Sequence, residues 1–268
     1  MHDETLDHLL IIELTATPPA SFAAEQMGVA LESHWLGGRW MFGRWEIADI
    51  AFFIILRQNG HLLSRKVALL QTKRLYSKEI DVAELEEADY RMGIGRLVDR
   101  TEPTFPISRQ RAFSFDADCL YAAMSAGDKQ IEWIERYGAL SGIPVYYGFY
   151  DPTAIPLGAL YPLLGGVGEG GPNVIGMRVM TASHVQNVLS KMTQSRPPTF
   201  SCMSRTGSSD TVDYGWRTEN FIADEVLRCR EGKIFDEVDD PNLSNLLYRR
   251  SAPIAAAVTI TIDLGGRD

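Results

Sequence analysis

"VALLQTKRLY", residues 67–76, opens as a buried strand and then sets a Gln and a Lys two residues apart within it. Side chains alternate along a strand, so Gln71 and Lys73 point to the same face. A lone amide or ammonium buried there costs several kcal/mol unless a partner is supplied. The preceding segment offers one. "WEIADIAFFIILR", residues 45–57, is apolar on both faces, its charges being Glu46, Asp49 and Arg57. That pattern predicts a strand covered on two sides. "QNGH", residues 58–61, reads as a hairpin turn. Pairing outward from it, with position sums near 119 or 120, sets Asp49 opposite residue 70 or 71. Asp49 then lies within reach of Gln71 and of Lys73.

Upstream, "ASFAAEQMGVALESHWLGG", residues 20–38, follows a Thr-Pro-Pro breaker. Phe22, Met27, Ala30, Leu31 and Trp35 approximate an apolar stripe, Ser21 can cap a helix start and Gly37-Gly38 can end it. The expectation is a helix that adds Glu25 as a second carboxylate, with Glu32, two turns on, as the alternative. One carboxylate or two, an amide oxygen and an ammonium at one end of a hairpin admit two interpretations. The first is a buried Asp–Lys ion pair with an amide hydrogen bond. The second is a site for Mg²⁺, which takes oxygen ligands and keeps several waters, with Lys73 steadying charge on a phosphate.

The set resembles the PD-(D/E)xK nuclease superfamily, closest to Mrr-type restriction endonucleases and archaeal Holliday-junction resolvases. "LLQTKRLY" carries the Gln-x-Lys variant through Gln71, Lys73, Arg74 and Tyr76, "WEIADIAFFI" supplies Asp49 and "SFAAEQMGVAL" supplies Glu25. The matching residues run chiefly from 20 to 76. The resemblance implies a restriction-endonuclease-like α/β fold with a mixed central sheet flanked by helices. It implies that Glu25, Asp49, Gln71 and the backbone carbonyl of Thr72 bind Mg²⁺, or Mn²⁺ in its place. Glu25, Asp49, Gln71 and Lys73 would then cut DNA, in a restriction or phage-defence role. RNA is the other substrate that such a site admits. The chain departs from the family pattern before Asp49, where bulky Trp45 and Ile47 stand in "GRWEIAD". Glu46 is a substitute ligand or a structural residue there.

Further along, residues 79–98 hold an acidic helical stretch and "QRAFSF", residues 110–115, a strand. "DKQIEWIERYGALSG", residues 128–142, is an amphipathic helix leading into a buried strand, "IPVYYGFYD". "VIGMRVM" is a short strand, and residues 181–192 form a helix capped by Thr181 or Ser183. "ENFIADEVLRCREG", residues 219–232, is a helix, and "APIAAAVTITIDL" closes the chain as a strand. Residues 1–192 are expected to form the nuclease-like core, with 193–268 a C-terminal extension packing on it or completing it. "GGVGEGG" lacks the Lys-Ser/Thr of a phosphate loop, no Gly-x-Ser-x-Gly surrounds the serines near 204, and the five His show no metal spacing.

The 268 residues are 45% hydrophobic, so a full-sized core needs no metal or disulfide staple. Cys119, Cys202 and Cys229 show no paired spacing. The acidic start lacks signal-peptide features and no apolar run reaches transmembrane length, so the expectation is cytoplasmic, with no membrane partner. The net charge of −9 argues against a broadly basic nucleic-acid surface, although residues 57–111 hold 11 Lys or Arg against 8 Asp or Glu. An acidic nuclease is therefore expected to need a second copy or a partner subunit to hold DNA. The alternative is a non-catalytic, partner-binding subunit of a nucleic-acid-processing complex.

Overall fold

The Asn59-Gly60 turn lies at the centre of the sheet. Both residues have positive φ, 50° and 77°, the pair of values that a two-residue hairpin needs. In the computed structural model the turn joins β3 (Ala48–Gln58) to β4 (His61–Arg74). Gln58 pairs with His61, a bulge follows, and from Leu56 onward the register runs Ile54↔Lys66, Phe52↔Ala68 and Ile50↔Leu70. The structure describes residues 3–24, 26–36, 47–80, 111–161, 175–192, 196–204, 215–235, 240–248 and 254–265.

The remaining strands build outward from that hairpin. β1 (Ala20–Phe22) and β2 (Met27–Trp35) precede it; β5 (Lys78–Ile80) and β6 (Arg111–Phe115) follow. Next come β7 (Val145–Pro152), β8 (Leu157–Tyr161), β9 (Ile175–Thr181), β10 (Trp216–Arg217), β11 (Lys233–Phe235) and β12 (Ile254–Leu264). The main sheet has the order β1-β2-β12-β3-β4-β7-β9-β10, with β11 pairing β4 beside the start of β7. It is mixed: β12 runs parallel to β3, and β7 parallel to β4, while the other pairs are antiparallel. β5, β6 and β8 form a smaller sheet. Strands from 1–192 and from 193–268 share the main sheet, and β12 sits inside it between β2 and β3.

Helices cover both faces. On one, α1 (Asp3–Ala16) lays Ile11 on Ile50, Phe52, Leu70 and Val258. On the other, α2 (Lys129–Ser141), α3 (Ala182–Ser190), α4 (Phe200–Met203) and α6 (Pro241–Tyr248) pack Ile134, Val185, Met203 and Leu246 against Ala51, Leu69, Tyr147 and Phe149. α5 (Thr218–Asn220) passes into a π-helical turn, Phe221–Val226, on the α1 face. The caps are local chemistry. Asp128 accepts from Gln130 N at 2.9 Å, Gly142 ends α2 at φ 67°, and Thr181 accepts from His184 N at 3.2 Å. The chain is thus a mixed α/β fold with a central mixed sheet flanked by helices. Among the described residues, no helix is long and apolar enough to cross a membrane.

One expected element is replaced. Where a helix over residues 20–38 is expected, the described residues Ala20–Phe22 and Met27–Trp35 are strands, paired Ala20↔Val29. β12 pairs with β2 over nine positions, Met27↔Leu264 through Trp35↔Ala256. Those ladder bonds outweigh a weak helical stripe interrupted by Gly28, and Val29 and Leu31 reach the α1 face with the strand period of two. The N-terminal helix is α1, eleven residues upstream of β2. The expected acidic helix beyond residue 80 and the "GGVGEGG" stretch lie outside the described residues.

Tyr121, Tyr146 and Tyr147 are buried in this core. Burial pushes all three hydroxyls well above their ordinary ionisation range, helped by carboxylates at Asp151, Glu231 and Asp128 respectively. The folded state therefore favours the protonated form. Its contribution is complete below the unfolded pKa, near 10, and is lost as pH rises above it, by about 1.4 kcal/mol per pH unit for each tyrosine. The unfolding midpoint should fall steeply above pH 10, and the tyrosinate absorbance of these residues should appear only with unfolding. Full ionisation of all ten tyrosines in a folded chain would contradict this.

Candidate functional site

The β3–β4 register continues from Ile50↔Leu70 to set Asp49 opposite Gln71. Asp49 Oδ2 accepts from Gln71 Nε2, from Thr72 N at 2.6 Å and from Thr72 Oγ1 at 2.9 Å. Asp49 is half-buried, whereas Gln71, Thr72 and Lys73 are 3%, 0% and 7% exposed. Thr72 turns its N–H toward β3. In an antiparallel pair a residue's carbonyl points the same way as its N–H, so the Thr72 carbonyl also faces the Asp49 side.

Alternation divides the group between the two faces of the sheet. Gln71 and Lys73 share a face with Leu69, under α2. Thr72 faces α1, where its Oγ1 lies 2.9 Å from Asp7 Oδ2 and Tyr150 Oη donates to Asp7 Oδ1 at 2.8 Å. Asp7 is 2% exposed. The Thr72 hydroxyl thus stands between two carboxylates, Asp7 and Asp49, and its single proton serves one of them at a time. Lys73 Nζ donates to Gln130 Oε1 of α2 at 3.1 Å. Among the described residues, no carboxylate lies within ion-pair distance of it. A buried ammonium held by a neutral amide is costly, and it leaves a positive charge free to act on an incoming anion.

The structure therefore brings Asp49, Gln71 and Thr72 into direct contact and directs Lys73 to Gln130. Glu25 lies outside the described residues. Glu32 is exposed on β2, paired with Thr259, which is itself paired with Phe53. That sets it four residues out of line with Asp49, about 13 Å along the strands alone. Asp7 was not foreseen. Its signal was legible: Asp7, Ile11 and Leu14 recur at helical spacing on one face, so a carboxylate stands on an otherwise apolar stripe.

Asp49 and the Thr72 carbonyl are oxygen donors of the kind a hard divalent ion takes. Gln71 as it stands turns Nε2 to Asp49, its Oε1 is buried with no hydrogen-bond partner, and Asp7 lies on the other face of β4 beside Thr72 Oγ1. No group of three or more His, Cys, Asp or Glu gathers among the described residues, so any ion held here would rely on neutral oxygens and water as well.

Other clusters carry less chemistry. Arg178 donates to Asp151 Oδ2 at 3.0 Å, to Tyr121 Oη at 2.9 Å and to Ser204 Oγ at 3.2 Å, while Tyr121 donates to Asp151 Oδ1 at 2.6 Å. These buried groups satisfy one another, as a structural tie between β7 and β9 requires. An open cleft of about 570 Å³, lined by Phe22, Gln26, Asn59 and Asp263, lies at the opposite end of β3 from Asp49. Nine residues separate the two, about 30 Å of strand. Among the described residues that line it, the cleft gathers one carboxylate, Asp263, and no cation, so the Asp49 group carries more chemistry. Comparison of the sequence with protein-family models and with curated proteins, and of the fold with solved structures, finds no match.

Proposed function

We propose that the chain is a metal-dependent endonuclease of the PD-(D/E)xK kind, hydrolysing phosphodiester bonds of DNA at Asp49. The β3–β4 pair carries the proposal. Asp49 lies against Gln71 and Thr72, and a buried ammonium without a carboxylate partner among the described residues stands two positions further on. Mg²⁺ held by Asp49, Gln71 Oε1 and the Thr72 carbonyl would supply positive charge against the phosphate and acidify an attacking water. Asp7 adds negative charge across β4 and holds the Thr72 hydroxyl. Lys73, steadied by Gln130, orients the water and stabilises the charge that develops on the phosphate. A chain of net charge −9 would draw on a second copy or a partner subunit to hold the DNA backbone.

The test is cleavage of supercoiled plasmid and of RNA with Mg²⁺ or Mn²⁺, by the wild type, Asp49→Ala and Lys73→Ala. DNA cutting that needs the divalent ion and disappears in both variants is the expected result. Cleavage that survives both substitutions would sink the assignment. RNA cutting in place of DNA would move the same site to an RNA substrate. The burial of Gln71, Thr72 and Lys73 favours a second reading, in which the polar group ties β3 to β4 in a non-catalytic, partner-binding subunit. There Lys73→Ala would lower stability and no substrate would be cut.

A further inference from the structure

β2 has one closed edge. β12 runs along it from Met27 to Trp35, and just beyond, Leu36 N donates to Ala255 O at 2.8 Å. At the other end Gly265 N donates to Gln26 O. Backbone groups alternate sides along a strand, so the even positions from Gln26 to Leu36 turn toward β12 and the odd ones turn outward. β1 takes up Met27 and Val29 and stops there. Its register would next set Pro18, which has no N–H, opposite Leu31. Among the described residues, no strand pairs Leu31, Ser33 and Trp35 on this side. Such an edge is a template for a further strand.

The two faces beside the edge differ. On the α1 face, Val29 and Leu31 pack beneath the helix, Ser33 Oγ and Thr15 Oγ1 hydrogen-bond, and the Trp35 ring meets His8 edge-on at 5.4 Å. His8, Ile12 and Thr15 recur at helical spacing, so Ile12 also stands on the edge side of α1. Ile12 and Trp35 are 48% and 44% exposed. On the opposite face, Glu32 and His34 are both exposed.

We propose that this edge is a homodimer interface, in which β2 pairs antiparallel with β2 of a second copy around Ser33. With Ser33 opposite Ser33 of the second copy, Leu31 and Trp35 form the flanking hydrogen-bonded pairs, one apolar side chain against the other. Glu32 stands opposite His34 of the second copy, and His34 opposite its Glu32, at the non-hydrogen-bonded positions where side chains come closest. A shift of two residues toward β1 sets Glu32 against its own copy and runs Trp35 into Val29, which β1 already holds. A shift the other way faces Glu32 with Leu36. One register thus satisfies both faces, and an edge complementary to itself fits a second copy. The dyad stands perpendicular to the sheet, so both α1 helices lie on one face with their Ile12 sides turned together. The interface stands whether or not Asp49 holds an ion.

The experiment is sedimentation velocity of the full chain over a range of micromolar concentrations, with thermal unfolding beside it. The wild type should show a monomer–dimer equilibrium. Glu32→Lys should weaken the dimer about tenfold, because both cross-strand pairs lose their opposite charges. Adding His34→Glu restores opposite charges and should return most of that loss. Ser33→Pro removes the central outward N–H while leaving the bonds to β12, so it should yield a folded monomer. Should that variant fail to fold, the charge exchange decides alone. A wild type that stays monomeric throughout would overturn the inference. So would a dimer indifferent to Glu32→Lys and Ser33→Pro, which puts the contact on another surface. A loss in Glu32→Lys that His34→Glu does not recover would overturn the register.

Discussion

Lys73→Met should remove most of the cleavage activity and cost almost no stability. The ammonium is 7% exposed and its partner is the neutral Gln130 Oε1, at 3.1 Å. Keeping a charge in such a place is unfavourable, and an apolar side chain of similar length removes that cost. One hydrogen bond to Gln130 is lost, a term of about 1 kcal/mol. The two effects oppose each other, and the unfolding free energy should stay within about 1 kcal/mol of the wild type. Catalysis has no such compensation. A fixed charge aimed at a developing phosphate charge is typically worth about 10²–10³ in rate. Denaturant unfolding and single-turnover cleavage, run on the same preparation, separate the two. A variant that unfolds more easily and cuts as well as its parent would make Lys73 a structural residue.

Asp49→Asn should have the larger effect on the ion, and Asp7→Asn a smaller one. The asparagine at position 49 can still accept from Thr72 N and Gln71 Nε2, so the β3–β4 junction keeps its bonds while losing its charge. Mn²⁺ affinity should fall by at least about a hundredfold and cleavage should become undetectable. At position 7 the substitution leaves an oxygen for Tyr150 Oη and offers an N–H to Thr72 Oγ1, whose own proton then serves Asp49. Stability should hold to within about 1 kcal/mol, and affinity should fall about tenfold, as befits a charge acting across β4. Isothermal titration with Mn²⁺ reads both variants. Equal binding by Asp49→Asn and the wild type would remove Asp49 from the site. A larger loss from Asp7→Asn than from Asp49→Asn would shift the site to the α1 face.

Much of this site was legible because its central pair is local. Asn59-Gly60 demands a tight turn, and the apolar runs on either side have one register that keeps both covered. Counting outward from the turn therefore brings Asp49 opposite residue 70 or 71 without any knowledge of the rest of the fold, and the bulge between Leu56 and Arg57 settles it on Gln71. Neither Glu25 nor Glu32 was bound to Asp49 by such a rule. The helix expected at residues 20–38 depended on an incomplete stripe, and the strand β2 stands there instead. The carboxylate that α1 delivers, Asp7, is separated from Thr72 by 65 residues. Nothing in the spacing of "DETLDHLL" says which strand it will meet.

The amino-acid sequence settles what neighbours along the chain can settle. The Asn-Gly turn, the caps at Asp128 and Thr181, the glycine stop at Gly142 and the alternation that turns Gln71 and Lys73 to one face all act within a few residues. The tertiary structure decides what depends on distant segments meeting. β12 enters between β2 and β3 from the far end of the chain, and its ladder makes Met27–Trp35 a strand. Pairing β4 with β7 sets Tyr147 beside Gln71, and folding α1 onto the sheet brings Asp7 to Thr72. A short-range rule is enforced by backbone geometry at every step. A long-range contact is chosen by the apolar surface and ladder bonds that the whole sheet buries at once.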